Sequence, residues 1–432
     1  MIAFVDDQEN ISKLQDELKI QKLEDVVILM QQNLSDVNII FPENFSLETL
    51  KSSHPGEVFS EETIAFLNAL SVNLRDNPKV RQYPDVATFA FFCRKANILS
   101  LKKEYSTINS RLGRGIVFHI APSNVPVNFA YSFIVGLLSG NINLVRIPSK
   151  DFPQVEIICQ AIAQTAMLQE FSEFADRIYL FRSDHNSEII TLFSSICDVR
   201  IIWGGDNTIA EIRKLPIPSR AYDITFAYRY SFCLINADKY INEQHPEKVA
   251  FDFYNDTYLF DQNACSAPHL IVWTGLPQNI SDSKNIFWDN LQKTVFQKQY
   301  QIPDVVAVNK LNTLFLQAVG EHCIHKEQSV DNRLWRVSLD NLTTDIDTYR
   351  CSGGYFSEYT ASSLDEIVSI VNRRYQTLAY YGFDHNVLKE FVIKNKLNGI
   401  DRIVRIGRTT DFSVYWDGYD LINSLSRIIV AL

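Results

Sequence analysis

Between Gly115 and Lys214 the chain repeats one pattern four times: an apolar run, then an amphipathic stretch. Gly115–Ile120 (GIVFHI) reads as a strand and Val125–Leu138 as a helix. Asn143–Ile147 (NLVRI) and Phe152–Leu168 form the second pair, Ile178–Phe181 and His185–Ser195 the third. Val199–Trp203 closes the series as a strand, with Thr208–Lys214 a short helix after a Gly-Gly turn. Near-continuous apolar strands alternating with amphipathic helices predict a parallel sheet covered on both faces, an α/β fold. In such folds ligands sit at the carboxyl ends of the strands, in the loops that open the helices.

The flanking regions are less regular. Ser60-Glu61-Glu62-Thr63 before an apolar run predicts a helix start with acidic residues in its first turn, and Pro84–Phe89 another. Downstream, from about Ser231 to Arg402, Phe232–Ile235 and Leu270–Trp273 read as strands and Leu364–Asn372 as a helix. No repeat of fixed period and no Pro/Gly-rich linker interrupts the chain, so its domains are expected to pack closely.

Composition narrows the function classes. With 432 residues, 46% hydrophobic and 21% charged, the chain is long enough for two or three domains and too apolar to be mainly disordered. A net charge of −10 argues against nonspecific nucleic-acid binding, which needs a basic excess to displace counterions. The seven cysteines are scattered without a CxxC pair, against both a disulfide framework and a structural zinc site. The start MIAFVDDQENISKLQ lacks the features of a signal peptide. The longest apolar stretch, Val125–Leu138, is shorter than the ~20 residues of a membrane helix. The expectation is a cytoplasmic protein with no membrane span.

Three loops carry candidate chemistry. Ala121-Pro122-Ser123-Asn124-Val125-Pro126 brackets Asn124 with prolines at the end of a strand. Its amide is either a donor to an oxyanion or a cap on the following helix. Trp203-Gly204-Gly205-Asp206-Asn207-Thr208 lets a phosphate approach backbone N–H groups, or is a tight turn with Asp206 or Asn207 as cap. Asp261-Gln262-Asn263-Ala264-Cys265-Ser266-Ala267-Pro268 places Cys265 between a polar loop and an apolar strand, as an accessible nucleophile or a buried structural thiol. His269 is a weak candidate for its base. The His322-Cys323-Ile324-His325 string has too few ligands for a metal, and no metal site is expected. Asp417 and Asp420 are expected to pair with Arg402, Arg408 or Arg427, and Asp184-His185 to cap a helix.

Taken in order, PSNVP, SGNINLVRIPS, WGGDNT and DQNACSAP resemble the aldehyde dehydrogenase superfamily. Within it, Trp203-Gly204-Gly205-Asp206, QNACSAP and the string GIDRIVRIGRTTDFSVYWDGYDLINSLSR (Gly399–Arg427) are similar to the acyl-CoA reductase (LuxC, bacterial luminescence fatty acid reductase) family. The resemblance covers roughly Gly113 to the C-terminus.

It implies an aldehyde dehydrogenase-like fold: a Rossmann-type parallel-sheet cofactor domain plus a second α/β catalytic domain. The expected division is 1–228 for the N-terminal region and dinucleotide-binding domain, 229–400 for the catalytic domain, and 401–432 for a segment packing back on the body. Cys265 and Asn124 are then catalytic, and Pro122, Arg146, Ser149, Gly204 and Gly205 bind the cofactor.

Three positions depart from the superfamily. Arg146 stands where a Lys is usual, which leaves NADPH against NADH open. Asn263 replaces the Gln of a GQxC motif. Asp223–Ser231 contains no Glu where oxidising members carry their base. Without that base a thioester would last long enough to receive a hydride, which favours acyl reduction. The sequence leaves open whether Glu358 or Glu366 reaches the nicotinamide ribose, a role some glutamates of that superfamily play.

The implied activity is that of an oxidoreductase. It reduces an activated acyl group (acyl-CoA, acyl-carrier or acyl-protein thioester) to an aldehyde through an S-acyl-cysteine, with NADPH or NADH. An acyl-protein synthetase-type donor and a homo-oligomer are the expected partners. The alternatives are a CoA-acylating or oxidising aldehyde dehydrogenase, and a catalytically silent partner-binding subunit of the same fold.

Overall fold

The four strand–helix repeats build one sheet. The computed structural model describes residues 37–122, 125–183, 188–321 and 324–431. Its sheet strands are β1 (Asn38–Phe41), β2 (Ile116–Ile120), β3 (Ile142–Arg146), β4 (Ile178–Arg182), β5 (Val199–Trp203) and β6 (Tyr222–Phe226). Their spatial order is β1-β4-β3-β2-β5-β6, with β1 antiparallel at one edge and the others parallel. Every residue of β2, β3 and β5 is buried, as strands covered on both faces must be. The chain order reverses between β2 and β5, the crevice where doubly wound sheets bind ligands.

The covering helices start where local chemistry allows. In α1 (Glu61–Asp76) the Ser60 hydroxyl accepts from the Thr63 N–H at 3.2 Å, and Glu61 and Glu62 fill the first turn. Helix α2 (Asn128–Leu138) begins three residues later than the periodicity predicts. Pro126 biases the residue before it toward extended backbone, so the helix cannot start there. At Gly136 a Cβ would lie 2.0 Å from Asn143 Oδ1, so only glycine lets α2 lie this close to the sheet. Buried His119 bridges Ser132 and Asn143 at 2.8 and 3.0 Å beneath that contact. Burial pushes its pKa down to about 4, so it is neutral at pH 7. Helices α3 (Pro153–Ala166), α4 (Glu188–Ile196) and α5 (Asp206–Arg213) complete the repeat.

The chain divides into two compact units. One comprises the described residues up to Phe226 together with those from Leu421 onward; the other is Ala227–Asp420. In the first unit the returning segment pairs Ser426–Ile428 antiparallel with Arg111–Gly113. Asn141, of the SGNIN string, holds both sides of this junction. Its Oδ1 accepts from the Arg114 N–H at 2.7 Å and its Nδ2 donates to the Leu425 carbonyl at 2.9 Å.

The second unit has its own sheet: β7 (Tyr230–Asn236), β8 (Pro268–Thr274), β9 (Ile324–Lys326), β10 (Trp335–Leu339), β11 (Tyr355–Thr360), β12 (Tyr375–Tyr381) and β13 (Arg402–Arg405). The order is β9-β10-β11-β8-β7-β12-β13, parallel except for β9. Alternate residues feed opposite faces. Phe232, Leu234, Leu270 and Val272 pack with Tyr375 and Leu378 on one side. Cys233, Ile235, Ile271 and Trp273 pack on the other with Phe253 of α6 (Pro246–Thr257) and Phe287 of α7 (Pro277–Gln297). Helix α8 (Asp304–Glu321) follows α7.

Leu364–Asn372, expected as a helix, forms only a 3-10 turn at Leu364–Ser369, closed by a Ser363/Glu366 capping box. The chain must then turn into β12, and the Asn372 carbonyl already accepts from the Tyr375 N–H.

Candidate active site

In the first unit the cofactor candidates converge. Pro122 follows β2, Gly204 and Gly205 follow β5, and Arg146 ends β3 with Ser149 just beyond. These strands are neighbours in the order β3-β2-β5, so the candidates line the carboxyl edge of the sheet at its switch point. Gly205 is the residue before α5, exposed, and a Cβ there would meet nothing within 4 Å. Its backbone is open to a phosphate at a helix N-terminus. Ser149 is exposed and Pro122 half-buried. Arg146 is buried, with Nε and Nη2 donating to the Ser183 carbonyl at 3.1 and 2.8 Å. The exposed Gly205 and Ser149 leave this edge open to a phosphate-bearing ligand, whereas the Arg146 guanidinium is buried against Ser183. Asn124 and Ser123 lie outside the described residues, as do Asp184-His185 and His322-Cys323. Among the described residues no group of three or more His, Cys, Asp or Glu side chains is placed to hold a metal.

Cys265 sits at the opposite kind of edge, the amino end of the second sheet. There the starts of β7, β8, β11 and β12 converge. The loop before it turns through two left-handed residues, Asp261 at φ 52° and Gln262 at φ 60°. This turn drives the Gln262 amide inward, where it is buried. Gln262 Nε2 donates to the Pro268 and Tyr355 carbonyls, each at 3.0 Å. Its Oε1 accepts from the Gly354 and Tyr355 N–H groups at 2.9 and 3.1 Å. Asn263 is exposed, so the buried amide of this loop stands three residues before the cysteine rather than two. The Ser231 hydroxyl donates to the Cys265 carbonyl at 2.7 Å and accepts from the Thr377 N–H at 3.1 Å. Cys265 as a residue is half-buried.

The surroundings set its acidity. Burial pushes the Cys265 thiol up to about 11, and the nearby Asp417 carboxylate adds to that. Donation from Gln376 and the positive charges of Arg350 and Arg402 pull the other way. Arg350 also donates to the Arg229 and Asn263 carbonyls at 2.7 and 3.2 Å, tying the loop down. Arg402 donates to the Thr409 and Asp411 carbonyls at 3.0 and 2.8 Å and lies 4.3 Å from the Trp416 ring centre.

Buried Asp256, on α6, holds the same C-terminal loop. It accepts from the Gly407 N–H at 2.6 Å and the Thr409 N–H at 3.0 Å. Burial nevertheless pushes its carboxyl up to about 7. The folded protein therefore keeps a proton that the unfolded chain, at 3.8, has released. This stabilisation is complete below about pH 4 and is lost as pH rises to about 7, with each pH unit in the window carrying up to about 1.4 kcal/mol. In urea unfolding at pH 5 and 7.5 this group lowers the midpoint at the higher pH, against the buried neutral His119 and His269, which raise it. Asp256→Asn should lose that part of the difference.

The Asp417 and Arg408 pairings differ from expectation. Asp417 pairs with Arg229 at 3.3 Å and accepts from Gln376; Arg408 pairs with Asp411 at 2.9 Å. The reason is the hairpin Tyr415–Asp420, whose tip is Asp417-Gly418, both left-handed. It turns Asp417 into the unit, where its side chain is almost fully buried. His269 lies on β8 with its ring stacked on Tyr230, 5.7 Å between centres, and burial pushes its pKa well down. Strand alternation carries it away from the role of base to Cys265.

Both glutamates considered for the ribose are already engaged. Glu358 accepts from Trp273, Trp288 and Arg336, and Glu366 accepts from the Tyr359 hydroxyl and caps Ser362 and Ser363. The Glu-free segment Asp223–Ser231 ends β6 and starts β7. Its one carboxylate, Asp223, is bound to Arg200 at 2.8 and 3.1 Å. Gln262, Gln376 and Ser231 were not read from the sequence as site residues.

Solved structures share this fold at low identity. Aldehyde dehydrogenase 21 from Physcomitrella patens matches with a TM-score of 0.62 and 12% identity, over 89% of this chain and 87% of that one. A lactaldehyde dehydrogenase from Escherichia coli matches at 0.60 and 12%, over 86% of each chain. An NAD-dependent benzaldehyde dehydrogenase from Corynebacterium glutamicum matches at 0.58 and 13%, over 88% and 86%. The fold is thus aldehyde dehydrogenase-like. In sequence, the long-chain acyl-protein thioester reductase of Vibrio harveyi is 22% identical over 320 residues, 73% of this chain. The matched region spans 63% of that relative's length. The family model for acyl-CoA reductase (LuxC) matches residues 96–428, well over half of the sequence, and the chain belongs to that family.

Proposed function

We propose that the protein reduces an activated acyl group to an aldehyde, with Cys265 as nucleophile and NADPH as reductant (NADH the alternative). The observation that carries the reading is Cys265 itself: a half-buried cysteine whose carbonyl is held by Ser231 and whose sulfur accepts from Gln376, where four strand starts converge, in a family of acyl-CoA reductases. The only carboxylate of Asp223–Ser231 is bound to Arg200, so this segment offers no base for hydrolysis of an acyl-enzyme.

The Cys265 thiolate would attack the acyl carbonyl. The Cys265 backbone N–H and the Asn124 amide would stabilise the tetrahedral oxyanion, and expulsion of the donor thiol leaves an acyl-Cys265 thioester. When bound, the dinucleotide supplies a hydride to that carbonyl. Pro122, Arg146, Ser149, Gly204 and Gly205 would hold it at the switch point of the first sheet, which makes the first unit the cofactor domain and the second the catalytic one. Collapse of the reduced adduct frees the aldehyde and restores the thiolate.

The acyl-protein substrate in the Vibrio harveyi relative's name supports a donor carried on a protein, such as a synthetase. Self-association is supported by α8, where Val305, Val308, Phe315, Leu316 and Val319 are all more than half exposed. No helix among the described residues is long and apolar enough to cross a membrane.

The test is intact-protein mass spectrometry after mixing with a panel of acyl-CoAs, followed by NADPH. An acyl adduct should map to Cys265 and be discharged as aldehyde. Cys265→Ala should form no adduct and lose turnover by at least about 10³-fold. An adduct or turnover that survives this substitution would sink the reading.

A further inference from the structure

The donor facing the Cys265 sulfur is a side-chain amide. Gln376 Nε2 lies 3.4 Å from Sγ and donates as well to Asp417 Oδ1. Gln376 is fully buried at the start of β12, and its Oε1 accepts from the Thr377 hydroxyl at 3.3 Å. The orientation of the amide follows from chemistry. A carboxylate only accepts and the sulfur is an acceptor too, so both hydrogens of the NH₂ group have partners only when it faces them. Turning the amide over would set its oxygen against Asp417. Asp417 is fixed in turn by the left-handed hairpin tip and by Arg229 Nε at 3.3 Å. The next residue, Thr377, binds Ser231, which holds the Cys265 carbonyl. Two consecutive residues of one strand thus grip the two ends of the cysteine.

We propose that Gln376 is a catalytic residue, the N–H donor that stabilises the Cys265 thiolate, and that Asp417 fixes which end of its amide faces the sulfur. This rests on the reading of Cys265 as the nucleophile. The two residues act oppositely on the thiol: the Gln376 donor favours the anion, whereas the Asp417 charge disfavours it. The other charged groups facing the sulfur are Arg350 and Arg402, which both favour the anion.

The experiment is the pH profile of iodoacetamide alkylation at Cys265, followed by peptide mass spectrometry between pH 6 and 11. Gln376→Met keeps the length of the side chain and removes the N–H. Its profile should move to higher pH, with alkylation at pH 8 slowed roughly tenfold, a shift of about one pH unit. Gln376→Glu, which puts a carboxylate in the same space, should move it at least as far and serves if the first variant does not fold. Asp417→Asn, made on the Gln376→Met variant so that no amide can turn over, removes the charge and should move the profile to lower pH than Gln376→Met alone. A wild-type profile in both Gln376 variants, or no downward move when Asp417→Asn is added to Gln376→Met, overturns the proposal. Alkylation needs no acyl donor. Failure of Cys265 to accept an acyl group would therefore sink the functional reading while leaving these profiles to be judged by themselves.

Discussion

Gln262→Ala should lower stability by about 2–6 kcal/mol and release the Cys265 loop. The buried amide meets four backbone groups, at Pro268, Gly354 and Tyr355. Truncation orphans two N–H donors, each costing about 1–3 kcal/mol when buried without a partner. Glutamine already holds φ 60° there, so the backbone strain is common to both residues. Gln262→Glu separates these effects. It can still accept from Gly354 and Tyr355, but it places a charge against the Pro268 and Tyr355 carbonyls. Urea unfolding measures the loss. Cys265 alkylation in the folded baseline should be faster in Gln262→Ala, because the loop opens before the unit melts. A variant with wild-type midpoint and wild-type alkylation would show that the staple is dispensable.

The second large effect is at Glu358. Its carboxylate is fully buried and collects Trp273 Nε1 at 2.9 Å, Trp288 Nε1 at 2.8 Å and Arg336 Nε at 2.7 Å. Removing one partner of a buried ion pair costs about 3–5 kcal/mol. Glu358→Ala also strands two indole N–H groups, so a value at the upper end is expected. Glu358→Gln retains an acceptor for the indoles and should lose less, about 1–3 kcal/mol. A glutamate whose business is a bound ribose behaves differently: its replacement raises KM for the dinucleotide and leaves the unfolding midpoint alone. A fall in midpoint with unchanged cofactor KM assigns Glu358 to the core of the second unit.

Four strands of the first sheet are legible because they are short apolar runs closed by turn residues, and their edges come within one or two residues; the antiparallel edge strand Asn38–Phe41 is not among them. Tyr222–Phe226 escaped notice because Asp223 interrupts its apolar pattern. That charge is tolerated only because Arg200, from the neighbouring strand, meets it across the sheet. The cofactor loops follow from the rule that ligands gather at carboxyl ends of strands. Cys265 lies at amino ends, so that rule alone does not find it; the DQNACSAP string does. Gln376 and Asp417 stand 111 and 152 residues beyond Cys265 in number, and only the folded chain brings them to it. One local signal was available. Asp417-Gly418 between aromatic residues is a strong tight-hairpin pattern, and it fixes where that carboxylate points.

The route of the chain has a consequence for its biogenesis. The second unit is one uninterrupted stretch, whereas the first is completed by residues 421–431. Arg111 and Ser426, bonded at 2.8 Å, are 315 positions apart. During synthesis Ala227–Asp420 has emerged before Ser426–Ile428 can pair with Arg111–Gly113 and before Leu425 can reach Asn141. Until then the first unit waits with a ribbon strand and a buried amide unpaired, a state open to misassociation. In this chain the order of translation and the order of completed folding are inverted: the unit begun second is free to finish first.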